Sequence, residues 1–141
     1  VAAGPMLTGS FQGERLGACT DCRRFWATYR RGEIDRAVID QVEDQLAPTV
    51  GTCGVMGTAS TMACIAEALG MALPDSAAIP AVHADRLRMA EASGRRAAQM
   101  AVAGGPRPSE IITPRAVENA LRVLLAVNVL AMPTSTPKVF V

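Results

Sequence analysis

Cysteines are the side chains of this sequence with the clearest chemistry, and Cys53 has the most unusual surroundings. It stands in the turn Gly51-Thr52-Cys53-Gly54, which small residues separate from a helix predicted to begin near Met62. The first N–H groups of a helix lack partners and carry partial positive charge, so they stabilise a thiolate or an anionic cofactor held before them. Glycines on both sides let the backbone approach a bulky ligand. Cys53 is therefore a candidate metal ligand or nucleophile.

The other three cysteines give weaker signals. Cys19 and Cys22 form a Cys-x-x-Cys pair, but a zinc site needs a second pair, and Cys53 with Cys64 has the wrong spacing for one. Local packing or a stray thiol pair is the favoured interpretation. Cys64 falls on the helix predicted after Cys53, where a structural role is favoured. Reduced thiols or metal ligands are expected rather than disulfides, because no signal peptide opens the sequence.

The only histidine and a cluster of arginines were weighed as further sites. His83 stands at the predicted start of a helix, where a capping or surface role is favoured over catalysis. Four arginines lie close in sequence to Trp26 and Tyr29: Arg23, Arg24, Arg30 and Arg31. Basic and aromatic residues together resemble a nucleic-acid-binding patch. Glu33, Asp35 and the net charge of +1 favour a solvated helix face or a subunit contact instead. We expect no nucleic-acid partner.

The composition favours a helical domain. The chain has 141 residues, half of them apolar and only 4% aromatic, which suits one domain whose helices pack through small contacts. No apolar run is long enough to span a bilayer. With no signal peptide recognised, we expect a cytoplasmic protein without a membrane partner.

Hydrophobic spacing predicts five helices, over residues 20–31, 34–46, 62–69 and 83–102 and from Pro114 onward, the last capped by Ser109 or Thr113. Residues 1–6 are typical of a strand end, and residues 4–18 of a loop. Gly32 and Gly70 are expected to end the first and third helices. The apolar stripe of the second helix is predicted at Ile34, Val38, Ile39, Val42 and Leu46. The buried face of the third helix is predicted at Met62, Ile65, Ala66 and Leu69, and that of the last helix at Ala116, Ala120, Val123, Leu124 and Val127. The predicted fold is mostly α-helical, with a short strand at the N-terminus.

Several motifs resemble the dihydroxy-acid dehydratase and phosphogluconate dehydratase family. The longest lies around Cys53, and the resemblance covers about residues 1–127. The matching stretches are Gly51-Thr52-Cys53, Met56-Gly57-Thr58-Ala59-Ser60-Thr61-Met62, Glu67-Ala68-Leu69-Gly70-Met71-Ala72-Leu73-Pro74, Ile79-Pro80-Ala81, His83-Ala84-Asp85-Arg86, Glu118-Asn119-Ala120 and Gly4-Pro5-Met6-Leu7.

The resemblance implies a dehydratase, a hydro-lyase. Members of the family remove water from a 2,3-dihydroxy carboxylic acid to give a 2-keto acid, using an iron–sulfur cluster, commonly [2Fe-2S], and Mg²⁺. By the resemblance, Cys53 is a ligand to an iron of that cluster, which fits the preference of such clusters for thiolates. The other cluster cysteines, the Mg²⁺ ligands and the catalytic serine correspond to parts of the family outside these residues. No catalytic residue is therefore expected within this chain.

The resemblance also implies the domain organisation. Residues 1–127 are expected to be a fragment of the N-terminal iron–sulfur domain, whose parent fold is α/β. Residues 128–141 are expected to be a divergent or disordered tail, because Val127-Asn128-Val129-Leu130-Ala131 departs from the family's Gly-Gly-Ser-Thr-Asn turn. The intact protein is expected to be a homodimer or homotetramer. The 141-residue chain alone is expected to be inactive and to aggregate or fold poorly.

The substrate class is the least determined part of this assignment. Residues 20–26 are closer to the sugar-acid branch of the family than to the branched-chain amino-acid branch, so an aldonic acid is favoured over a 2,3-dihydroxy acid. A competing hypothesis is a non-catalytic helical interaction domain in which Cys53 and the other cysteines are structural. Iron and sulfide in the purified protein distinguish the two.

Overall fold

The structure is a computed structural model and describes residues 2–53 and 57–131. Within these ranges it is mostly helical, with six helices and one two-stranded antiparallel sheet near the N-terminus. The elements are β1 (Ser10–Phe11), β2 (Glu14–Arg15), α1 (Ala18–Arg30), α2 (Arg36–Leu46), α3 (Thr58–Ala68), α4 (Ala84–Ala103), α5 (Pro108–Ile111) and α6 (Pro114–Ala131). The mostly helical prediction is confirmed, and the single-turn helix α5 is an addition to it.

The short sheet lies later in the sequence than the predicted strand. Ser10 pairs with Arg15 and Phe11 with Glu14, inside the stretch predicted to be a loop. Gln12 and Gly13 connect the strands with φ of 49° and 84°, and two successive positive φ values are what a tight two-residue hairpin requires. The strand end expected at residues 1–6 is reduced to one parallel bridge, between Pro5 and Thr52.

Helices α1 and α2 pack against each other and against the hairpin. The indole N–H of Trp26 on α1 donates to Glu43 on α2 at 2.9 Å, and the Phe25 ring meets Phe11 edge-on at 5.7 Å. The predicted apolar stripe of α2 is confirmed, because Ile39 and Val42 are each only 1% exposed. This unit orders the chain that leads to Cys53.

Glycines end two helices as the sequence predicted. Gly32 has a φ of 75°, and its N–H and that of Glu33 bond to the carbonyls of Tyr29 and Thr28. Gly70 repeats the arrangement after α3 with a φ of 82°. Both are the paired bonds by which a left-handed residue satisfies the last carbonyls of a helix.

Helices α3 and α6 form the other main contact of the described chain. The predicted face of α6 is confirmed: Ala120 is buried and its other members are half-buried. The predicted face of α3 is wrong at Met62, which is 55% exposed, whereas Ser60, Thr61 and Ala63 are buried. Helix α3 already begins at Thr58, and its buried side is formed by small residues that let α6 approach closely.

A second apolar stripe of α6 faces away from the packed side. Val117, Leu121 and Leu125 follow one another at intervals of four and are 42%, 54% and 66% exposed. None of the helices in the described residues is both long enough and apolar enough to cross a membrane. The tail predicted at residues 128–141 is helical to Ala131, and residues 132–141 lie outside the described part of the chain.

Candidate functional site

Cys53 lies in the connection between α2 and α3 and is half-buried. Residues 54–56 lie outside the described part of the chain, and Gly57 beyond them is the N-cap of α3. Within the described chain, no side chain caps this helix start. The first N–H groups of α3 are therefore a source of partial positive charge a few residues beyond the thiol, as the sequence predicted.

Thr52 anchors the cysteine turn to the N-terminal segment. Its N–H donates to the carbonyl of Gly4, and its carbonyl accepts from the N–H of Met6, both at 2.9 Å. Gly51 makes this pairing possible, because a Cβ at this position would lie 2.4 Å from the nitrogen of Met6 and φ is 139°. The structure thus corrects the interpretation of Gly51: its missing side chain admits the chain's own backbone, not a ligand.

The N-terminal segment is held in turn by the loop before α4. The N–H of Ala81 donates to the carbonyl of Pro5 at 2.9 Å. A Cβ on Gly4 would lie 2.2 Å from the carbonyl oxygen of Ile79, so only glycine fits between these backbones. The turn with Cys53 is therefore one layer of a three-layer backbone stack.

Arg86 on α4 closes the far side of this stack. Its guanidinium donates to the carbonyl of Ala2 at 2.8 Å and to the carbonyl of Ile79. The residue is only 9% exposed, and its buried Nε has no hydrogen-bond partner among the described residues. A buried arginine needs such acceptors to offset its desolvation. This role was not predicted from the sequence, because nothing local distinguishes Arg86 from the other arginines of α4.

Glu67, near the end of α3, organises the opposite end of the same loop. Its carboxylate accepts the N–H groups of Asp75 and Ala77, each at 2.7 Å, and the hydroxyl of Ser76 at 3.4 Å. An acidic residue in the last turn of a helix opposes the helix dipole, so its presence there needs a compensating role. Holding the loop provides that role. The periodicity of α3 gave no sign of it.

Ser60 contacts the cysteine turn from α3. Its hydroxyl donates to the carbonyl of Cys53 at 3.3 Å and lies 3.2 Å from the hydroxyl oxygen of Thr52. Ser60 is 3% exposed. The start of α3 and the residue before Cys53 are thus joined through side chains as well as through the chain.

The histidine and the other three cysteines have roles unrelated to the Cys53 turn. His83 is the N-cap of α4, and its Nδ1 accepts the N–H of Asp85 at 3.2 Å, as the capping interpretation predicted. Cys19 is exposed and Cys22 half-buried on α1, and all four cysteines are free thiols. Burial raises the pKa of the Cys64 thiol, and the nearby charge of Glu67 raises it further. That favours the protonated, unreactive form and agrees with a structural role.

Two of the arginines considered as a nucleic-acid patch form ion pairs, one on α1 and one at its C-cap. Arg24 lies 3.1 Å from Glu14 and 2.9 Å from Asp21, and Arg31 pairs with Glu33. The side chains of these pairs are largely exposed, except that of Asp21, which is 14% exposed. This is the solvated helix face that the sequence analysis favoured, and the absence of a nucleic-acid partner stays a prediction.

The donor set at Cys53 fits one ligand of a metal cluster. Cys53 offers a half-buried thiol, and thiolates are the donors that iron–sulfur clusters use. Within residues 2–53 and 57–131, no group of three or more His, Cys, Asp or Glu side chains is placed to hold a metal ion.

A cleft of about 480 Å³ lies elsewhere, between α4, α5 and the loop that follows α3. Met71, Leu73 and Met100 form much of its wall, and Arg96 is the charged residue that lines it. None of residues 51–53 lines this cleft.

The fold and the site together describe a helical unit that presents one thiol on an organised turn. Residues 1–136 match the family described as dihydroxy-acid/6-phosphogluconate dehydratase N-terminal. The chain belongs to this dehydratase family, as its motifs predicted.

Individual relatives agree with this assignment. The chain is 48% identical over 128 residues to an L-arabinonate dehydratase of Rhizobium leguminosarum, covering 91% of this chain and 22% of that protein. It is 42% identical over 129 residues to a dihydroxy-acid dehydratase of Syntrophotalea carbinolica, covering 91% and 23%. It is 37% identical over 126 residues to a 6-deoxy-6-sulfo-D-gluconate dehydratase of Pseudomonas putida, covering 89% and 22%. The chain thus spans less than a quarter of the length of these curated relatives.

Proposed function

We propose that the protein to which this chain belongs is a hydro-lyase that converts an aldonic acid or a 2,3-dihydroxy acid into a 2-keto acid. The reaction removes the proton at C2 and the hydroxyl at C3 as water, and the resulting enol tautomerises to the ketone. The single observation that carries the proposal is the family match, which covers residues 1–136 and includes the Cys53 turn.

Cys53 is proposed as one ligand to an iron–sulfur cluster, [2Fe-2S], and Mg²⁺ is proposed to bind through residues outside this chain. When bound, the cluster supplies a Lewis acid for the leaving hydroxyl, and Mg²⁺ holds substrate oxygens. The chain's own part is to present the thiol. Thr52 fixes the backbone next to it, and the start of α3 favours negative charge nearby.

The named relatives support two substrate classes for the intact protein: aldonic (sugar) acids and 2,3-dihydroxy acids. The relative named for L-arabinonate is 48% identical, the dihydroxy-acid dehydratase 42% and the sulfogluconate dehydratase 37%. An aldonic acid is therefore proposed first and a 2,3-dihydroxy acid second. The intact protein is proposed to act in the cytoplasm as a homodimer or homotetramer. The exposed stripe of Val117, Leu121 and Leu125 supports burial of α6 against further chain.

The test uses the intact gene product purified without oxygen. Iron and acid-labile sulfide are measured first, and 2-keto acid formation is then assayed with a panel of aldonates and with 2,3-dihydroxyisovalerate. Bound iron and sulfide together with keto-acid release support the proposal. A folded, colourless and iron-free protein without activity contradicts it and favours the interaction-domain hypothesis.

A matched pair of cysteine variants tests the role of Cys53. Cys53→Ser is expected to abolish the bound cluster and the activity, because a hydroxyl is a poor substitute for a thiolate ligand. Cys64→Ser changes the same atom on the neighbouring helix and is expected to keep both. Retention of iron by Cys53→Ser at the level of the wild type would exclude Cys53 as a ligand.

A further inference from the structure

Ser60 is a buried polar residue that contacts the residue proposed as a cluster ligand. It occupies the first turn of α3 and is 3% exposed, so its hydroxyl must find partners within the protein. The partners are the carbonyl of Cys53 at 3.3 Å and the hydroxyl of Thr52 at 3.2 Å. Both belong to the cysteine turn.

The hydrogen-bond direction follows from the single proton of a serine hydroxyl. Because Ser60 donates to the carbonyl of Cys53, the hydroxyl of Thr52 must donate to Ser60. Both oxygen–oxygen distances are long for hydroxyl donors, so each bond contributes less than an ideal one. The two bonds act on adjacent residues and hold the turn against the start of the helix.

The other hydrogen bonds of the turn fix Thr52, and Ser60 contacts the carbonyl of Cys53. The N–H and carbonyl of Thr52 are both used in pairing with the N-terminal segment, which fixes the chain up to Thr52. The carbonyl of Cys53 is the next main-chain acceptor along the chain, and Ser60 donates to it. The peptide that follows the thiol-bearing residue is thereby tied to a rigid helix.

We propose that Ser60 is a positioning residue for Cys53, setting the orientation of the thiol through the carbonyl of that residue. Its consequence for an iron–sulfur cluster rests on the proposed function, whereas its effect on the thiol itself does not. Loss of the Ser60 hydroxyl frees the Cys53 peptide to rotate. The Cys53 thiol then spends more time in orientations that are open to solvent. It spends less time in the orientation in which it could bind iron.

The first test measures the thiol in the intact apo-protein. Alkylation of Cys53 by iodoacetamide, followed by mass spectrometry, is expected to be about threefold faster in Ser60→Ala, the population change that the loss of one modest hydrogen bond produces. Ser60→Thr retains the hydroxyl and is expected to restore most of the wild-type rate. Ser93→Ala makes the same change on α4 and serves as the matched control, with a wild-type rate.

The second test measures the cluster in the reconstituted protein. Ser60→Ala is expected to show an altered visible absorption and electron paramagnetic resonance spectrum and to lose iron severalfold faster in air, with Ser93→Ala unchanged. If wild-type protein binds iron but Ser60→Ala matches it in alkylation rate, spectrum and iron loss, the positioning role is overturned and the proposed function stands.

Two further outcomes are also decisive. If the wild-type protein binds no iron, the proposed function fails, and the alkylation rates alone decide the role of Ser60. If Ser60→Ala does not fold, as judged by the loss of a cooperative melt, Ser60→Cys takes its place. A thiol is a weak hydrogen-bond donor, so this variant weakens the bond to the carbonyl of Cys53 and is expected to alkylate faster at Cys53. A wild-type rate at Cys53, resolved from position 60 by tandem mass spectrometry, overturns the proposal.

Discussion

The guanidinium of Arg86 donates to the main-chain carbonyl of Ala2 at 2.8 Å, a contact between residues 84 positions apart in the sequence. Through it, helix α4 holds the segment that pairs with Thr52, the neighbour of Cys53. The thiol's position therefore depends on a residue that is far from it in sequence.

Replacement of Arg86 by Met is expected to destabilise the protein by roughly 3 kcal/mol, because two part-buried, charge-assisted hydrogen bonds to main-chain carbonyls are lost. Arg88→Met on the same helix is the control, since the side chain of Arg88 is 68% exposed and its ion pair with Asp85 lies at the surface. Urea unfolding of the intact apo-protein measures both. Equal midpoints for the two variants would show that Arg86 does not hold the stack.

Glu67→Gln is expected to lower stability by about 1–3 kcal/mol, since the amide retains a single acceptor oxygen where the carboxylate oxygens receive two N–H groups and a hydroxyl. The loop around Asp75 should loosen first. Hydrogen exchange of the Ala77 amide is the direct measurement, and it should accelerate. Glu91→Gln, which removes an exposed partner of Arg95, should leave this amide as slow as in the wild type.

Two glycine substitutions are expected to have opposite effects. Gly51→Ala should cost roughly 2 kcal/mol or more, because its Cβ would collide with the backbone of Met6 at a φ of 139°. Gly94 lies inside α4 with nothing within 4 Å of the added atom, so Gly94→Ala should stabilise by about 0.5–1 kcal/mol. Thermal melts of both apo-variants give the comparison. A neutral Gly51→Ala would disprove the close pairing of residues 4–6 with Thr52.

Cys64 is expected to alkylate only at higher pH in the native protein than in urea, because burial, and then the charge of Glu67, raise its pKa above the ordinary value of about 8.5. The native state therefore holds the thiol proton more tightly than the unfolded state. This tighter binding of the Cys64 proton stabilises the native state fully at pH values below the pKa of Cys64 in the unfolded state. The stabilisation is lost as pH rises through the pKa of Cys64 in the folded state. Rates of iodoacetamide labelling across this range, in both states, measure the shift.

Glu67→Gln provides the matched variant for this titration. Removal of the carboxylate charge should move the labelling profile of Cys64 toward lower pH without abolishing the shift, because burial is its larger cause. An unchanged profile in that variant would remove Glu67 as a contributor.

The helices were predictable because their determinants are local. The stripe of Ile39 and Val42 and the glycines at positions 32 and 70 each act within a few residues, and the structure confirms all four. The buried face of α3 was predicted wrongly at Met62 because spacing alone selected the largest apolar residues. The helix instead packs through small ones.

The candidate site was only half predictable for a related reason. Cys53 was proposed from its residue type, its turn and the helix start that follows, and its role stays a prediction. Ser60, Glu67 and Arg86 were missed, since their roles depend on hydrogen bonds that the fold creates between separate segments. A serine in a run of small residues and an arginine on an arginine-rich helix have no local signature of such roles.

The backbone stack around Cys53 has a consequence for the order of folding. Its outer layer is closed by a contact that spans 84 residues, whereas the helices need only contacts within a few turns. Closing a long loop reduces the entropy of the chain before the contact can stabilise the fold. Contacts between residues far apart in the sequence therefore form late. During synthesis, Cys53 would emerge well before Arg86. The thiol would thus stay open to oxidation or alkylation until α4 has been made and has docked, which makes the nascent chain the form most vulnerable at this residue.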